Sequence, residues 1–139
     1  MNHDAERWGF NDRRWLKDMQ EYTPLRESIN DNISVIKDVF LDTAASSDFP
    51  KVTMRSLEVL VTECGLVDNR HISVKDVDRF FIAATTKDGS GKATAMCRYE
   101  FIDFLARLSE YKYRETKVVM TCKGAFDKMM NEHIIPYHA

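Results

Sequence analysis

The sequence predicts an all-α domain, because chain breakers are scarce, apolar residues recur at helical spacing and the length supports one core. Five Gly and three Pro in 139 residues leave few places where a helix must stop. With 44% apolar residues, a chain of this size buries about 65–70% of its unfolded surface and needs no disulfide or metal to fold. Two domains of ordinary size do not fit in it.

Residues 1–22 read as an aromatic-rich N-terminal segment. Gly9 and Asn11-Asp12 interrupt any single pattern there, and then Trp15, Leu16, Met19 and Tyr22 share one face of a short amphipathic helix. Residues 23–139 form the helical domain. Thr23-Pro24 predicts a helix start, followed by Leu25, Ile29, Ile33, Ile36 and Phe40 along one helix. The pattern stops at Ser46-Ser47-Asp48-Phe49-Pro50. Thr53 caps a second helix carrying Leu57, Leu60, Val61 and Cys64, and Gly65 stands where it ends. Ser73 with Asp76 resembles a capping box for a third helix, whose apolar face is Val77, Phe80, Phe81 and Ala84.

A second breaker region, Lys87-Asp88-Gly89-Ser90-Gly91-Lys92, precedes a fourth helix. Phe101, Phe104, Leu105 and Leu108 form its buried face, with Asp103, Arg107 and Glu110 on its exposed face. Thr116 is the expected cap of a last helix over 116–135, bearing Val118, Val119, Cys122, Phe126, Met129, Met130 and His133 and ending before Pro136.

Twenty Lys+Arg against 22 Asp+Glu give a net charge of −2, which disfavours a nucleic-acid partner. No apolar run is long enough for a membrane span, and the first 20 residues are too charged for a signal peptide. A soluble, cytoplasmic protein is expected. Cys64, Cys97 and Cys122 are odd in number and never in C-x-x-C spacing, so neither a closed disulfide framework nor a zinc knuckle is expected.

The chain contains two helix–loop–helix units, 24–65 and 73–113, each with an apolar residue late in its loop. This layout resembles the EF-hand superfamily, as a degenerate, calmodulin-like pair whose loops touch through short extended pieces around Val52 and Met96. With Val52 as the eighth loop position, the ligand positions hold Ala45, Ser47, Phe49 and Ser56, and Pro50 replaces the turn glycine. Calcium needs carboxylate oxygen at those places, so the first loop should not bind it.

In the second loop Asp88, Ser90 and Gly91 fit the third, fifth and sixth positions, but Thr86 stands first and Cys97 twelfth. Glu100-Phe101 then arrives three residues late. Asp88, Ser90 and Glu100 are therefore candidate ligands of a weak calcium site at most, and no cofactor is expected. The run 95–108, with Lys112-Tyr113 and a last helix ending Ile134-Ile135-Pro136-Tyr137, also resembles calcium-independent EF-hand-like C-terminal domains of protozoan flagellar and basal-body proteins. That resemblance implies a cytoskeletal protein–protein interaction domain, with a helical peptide as an alternative partner.

Two groups of residues are candidates for partner binding. Phe126, Met129 and Met130 either extend the core or fill a groove from which the last helix is displaceable. Trp8 and Trp15, beside Arg7, Arg13 and Arg14, either anchor a partner or dock on their own domain. Catalysis is not expected. No local pattern joins Cys97 or Cys122 to His71 or His133, His133 and His138 lack a third ligand, and Gly89-Ser90-Gly91-Lys92 lacks phosphate-loop spacing.

Overall fold

Asn32 divides what the apolar spacing presents as one long helix. The computed structural model describes residues 19–45, 51–68, 70, 72–85 and 95–138, and it shows α1 (Met19–Asp31) and α2 (Ile33–Ala45) separated at that residue. The Asn32 amide N–H is shared between the Ser28 and Ile29 carbonyls, and its side-chain amide donates to Ser28 O at 2.9 Å. Asn competes in this way with regular helix bonding, but the i→i−4 bonds from Asn32 N–H to Ser28 O and from Ile36 N–H to Asn32 O are kept, so the apolar stripe runs on across a single interrupted residue. The helix is already formed at Met19, upstream of the expected start, and Pro24 lies inside it. Tyr22, Leu25 and Ile29 of α1 and Ile36, Val39 and Phe40 of α2 enter the core.

A two-residue strand β1 (Val52–Thr53) leads into α3 (Met54–Glu63), and β2 (Ala95–Met96) leads into α5 (Arg98–Ser109), with α4 (Val74–Thr85) between them. The strands pair antiparallel, Val52 opposite Met96 and Thr53 opposite Ala95. Both ladder residues Val52 and Met96 are fully buried. Thr53 caps α3 by accepting the Ser56 N–H, as its sequence position predicts. Asp76 accepts from both the N–H and the hydroxyl of Ser73 at the start of α4.

α3 ends in a Schellman motif. Gly65, at φ 79°, donates to Thr62 O while Leu66 donates to Val61 O, and Leu66 and Val61 are both buried. Asp68 then organises the link to α4. Its Oδ1 accepts the Arg70 and Ile72 N–H groups, and its Oδ2 meets Lys112 Nζ at 3.0 Å.

α5 continues as a π-helical turn (Glu110–Arg114) and closes with a second Schellman motif, Lys117 N–H to Arg114 O and Val118 N–H to Tyr113 O. Here the left-handed residue is Lys117, at φ 65°. The last helix consequently starts later than the sequence suggests. Thr121, not Thr116, is the cap, accepting the Gly124 N–H at the head of α6 (Cys122–Met129), and Val118 is left 60% exposed. A π-helical turn (Met130–Ile134) joins α6 to α7 (Ile135–His138), so the helix runs through Pro136. Proline withholds an N–H and crowds the carbonyl four residues back; a widened turn precedes it here and one short turn follows.

α6 lies between α1 and α5. The Glu21 carboxylate accepts the Cys122 N–H at 2.8 Å, and the Ser28 hydroxyl donates to Asp127. The packing around α5, from α4, α6 and α2, overturns one expectation. Residues 101–106 of α5 are buried all round, and Asp103 is inside the protein with 0% exposure, where sequence pattern had placed it on a solvent face. Its carboxylate pairs with Arg107 Nε at 2.7 Å. No described helix is long and apolar enough to cross a membrane.

Candidate functional site

The ladder fixes the register of the second loop. α2 ends seven residues before its ladder residue (45 to 52), whereas α4 ends eleven before its own (85 to 96). Met96 is thus the equivalent of Val52, and Cys97 is the N-cap of α5 as Thr53 is of α3. The expected alignment, with Cys97 twelfth and Glu100 late, is corrected: Glu100 is itself four residues past the ladder, as Ser56 is in the first unit. Sequence counting missed this because only the cross-strand partner fixes the register.

Glu100 is committed locally. Its Oε1 accepts the Cys97 N–H at 2.9 Å, closing the first turn of α5. Asp88 and Ser90 lie outside the described residues, as do Trp8 and Trp15. On the EF-hand numbering expected from the sequence, with Met96 taken as the eighth position, the first, third and fifth places fall on Gly89, Gly91 and Ala93. Among the described residues no three His, Cys, Asp or Glu side chains are grouped to hold a metal ion.

Phe126, Met129 and Met130 are all fully buried. A partner reaches them only by displacing α6. His133 and Tyr137, farther along the same helix, tie it to the first unit: His133 Nδ1 donates to Cys64 O at 2.9 Å at the end of α3, and Tyr137 bonds Glu63 at 3.2 Å. His138 faces Asp38 at 3.3 Å.

The cysteines are poor nucleophiles by environment. Burial pushes the Cys64 and Cys122 thiols up to about 12, and burial also raises Cys97. Cys122 additionally hydrogen-bonds Glu110 at 3.1 Å, while Arg114 bonds both Glu110 and the Cys122 sulfur at 3.0 Å. This cluster joins the π-helical turn after α5 to the head of α6.

Helix α3 presents a surface that sequence reasoning passed over. Val59 and Val74 are 44% and 41% exposed, and Glu58 faces Asp78 of α4 across the helix pair. Hydrogen bonding to Asp78, with burial, raises the Glu58 carboxyl above its usual range, against the opposing pull of Arg55. The signal was present in the sequence: Val59 lies two residues past Leu57, off the stripe formed by Leu57, Leu60 and Val61. Comparison of the chain with protein-family models, curated proteins and solved structures finds no match.

Proposed function

We propose that the two helix–loop–helix units are an EF-hand-like pair without calcium control, serving as a non-catalytic protein–protein interaction domain of a cytoskeletal or flagellar protein. The observation that carries this reading is the antiparallel pairing of Val52 with Met96, each one residue ahead of a capped exit helix. Two paired loops of this kind are how EF-hand units associate. In that frame neither loop supplies carboxylates at its first, third and fifth positions, and a dication is bound only where such oxygens offset its dehydration. The cytoskeletal or flagellar setting rests on the resemblance of the run 95–108 and the last helix.

A second reading is a weak calcium site of Asp88, Ser90 and Glu100; Glu100 occupies the twelfth position of the ladder frame, but Asp88 and Ser90 fall at none of its first, third or fifth positions. The Glu100 bond to the Cys97 N–H is a competing use of that carboxylate. A calcium titration followed by amide shifts separates the two. Silence at Ala95–Glu100 up to millimolar calcium is the expected result, and saturable micromolar shifts there would overturn calcium independence. Co-sedimentation with detergent-extracted axonemes, equal in calcium and in chelator, is expected for the cytoskeletal role; no recovery in either condition counts against it.

A further inference from the structure

Two clefts flank the outward face of α3. One, of about 390 Å³, lies between α3, the end of α2 and α7, and includes Asp42, Ser56 and Tyr137. The other, of about 400 Å³, is lined by Arg55, Glu58, Val59, Thr62, Glu63 and Val74. Arg55, Val59 and Glu63 belong to both, so the clefts run into one another across the helix. The exposed Val59 and Val74 give the surface an apolar floor.

Its charge is unbalanced. Glu58 faces Asp78 across the helix pair, and Asp78 Oδ1 is buried with no hydrogen-bond partner among the described residues. The cation beside them, Arg55, is 85% exposed and 3.8 Å from Glu58, a separation that offsets little charge in water. Arg79 is turned to Asp76 and lies over the Phe80 ring. Asp42 and Glu63 add negative charge along the same face. Two facing carboxyl groups at the edge of an aliphatic floor are complementary to a cation carried on an apolar stem.

We propose that the outward face of α3 with the start of α4 is a docking surface for a basic, aliphatic segment of a partner protein, its lysine or arginine entering beside Glu58 and Asp78. This names the partner chemistry of the interaction-domain reading and rests on it. The surface uses none of the buried residues Phe126, Met129 and Met130, so docking requires no opening of the fold.

The test is an amide-shift titration of the full chain with a short synthetic peptide alternating Lys and Val, against its Glu-for-Lys counterpart. Saturable shifts confined to 55–63 and 74–78 are expected with the lysine peptide and none with the glutamate peptide. Affinity should fall about tenfold or more in Glu58→Gln/Asp78→Asn, the scale of losing one good charge contact. That variant removes like charges and no core volume; should it nevertheless not fold, Val59→Ser at the exposed position is expected to weaken binding too. Dispersed shifts, equal binding by the variants, or equal binding of both peptides would overturn the docking surface. Calcium silence without peptide binding sinks only this surface, whereas peptide binding beside a calcium-responsive second loop sinks only the calcium-independent reading.

Discussion

Helices α3 and α5 hold equivalent places, each leaving a ladder residue through a one-residue cap, yet α3 keeps a face in water and α5 is surrounded. Both carry charged residues at helical spacing, so their sequences look alike in kind. What separates them is the company each keeps: α6, held by Glu21 and Ser28 of α1, lies along α5, and among the described residues no comparable helix covers the outward face of α3. A helix's charge pattern therefore reports which faces tolerate charge, while the neighbours decide which faces meet solvent.

The largest effects should come from the covered helix. Phe126→Ala, which empties a fully buried site beside α5, is expected to cost about 3–5 kcal/mol in urea unfolding. Asp103→Ala should cost a similar amount, about 3–5 kcal/mol, because it leaves the Arg107 guanidinium, 15% exposed, without its carboxylate. The matched change in α3, Arg55→Ala, should cost at most about 0.5 kcal/mol, since that side chain stands in solvent. Comparable losses for Asp103→Ala and Arg55→Ala would break the contrast between the helices.

Their C-terminal caps offer a smaller and more controlled comparison. Both end in the same hydrogen-bond motif, but Gly65 fills the left-handed position after α3 and Lys117 fills it after α5. Lys117→Gly should raise stability by about 1 kcal/mol, and Gly65→Ala should lower it by about the same amount, because a Cβ is disfavoured in that conformation. A methyl at Gly65 would meet nothing nearer than His133 Nδ1 at 3.7 Å, so backbone strain is the dominant cost there. Thermal midpoints moving the same way in both variants would show that these caps are not equivalent.

The smallest effect sharpens the electrostatics of the open face. Glu58 carries a folded pKa raised above its ordinary 4.5, chiefly by hydrogen bonding to Asp78. The stability it contributes is present below about pH 4.5 and is lost as pH rises through the folded value. Glu58→Gln should therefore gain on the wild type above that window and lose its advantage below it. A difference in thermal midpoint that stays constant from pH 3 to 8, on the scale over which carboxylates titrate, would contradict a Glu58 carboxyl raised by its neighbour.

Much of the helical layout was legible because its determinants are local. Thr53, the Ser73–Asp76 pair and Gly65 act on backbone groups within a few residues, and the stripes of α3 and α4 repeat within each helix. Even the meeting of Val52 with Met96 follows from the apolar residue that precedes each exit helix. The candidate surface was half legible: Val59 breaks its stripe in the sequence, but its neighbour Val74 and the pairing of Glu58 with Asp78 belong to another helix.

By itself, then, the sequence determined the helical class, three of the helix ends and the two residues through which the units touch. Each of these depends on side chains within one or two turns of the backbone they cap or stop. The tertiary structure alone decided that Asp103 is inside, that the helix passes Pro136, that Glu100 stands in register with Ser56, and that α3 faces outward. Those outcomes depend on which helix lies against which, and burial, register and charge balance are properties of the contact between segments far apart in the chain.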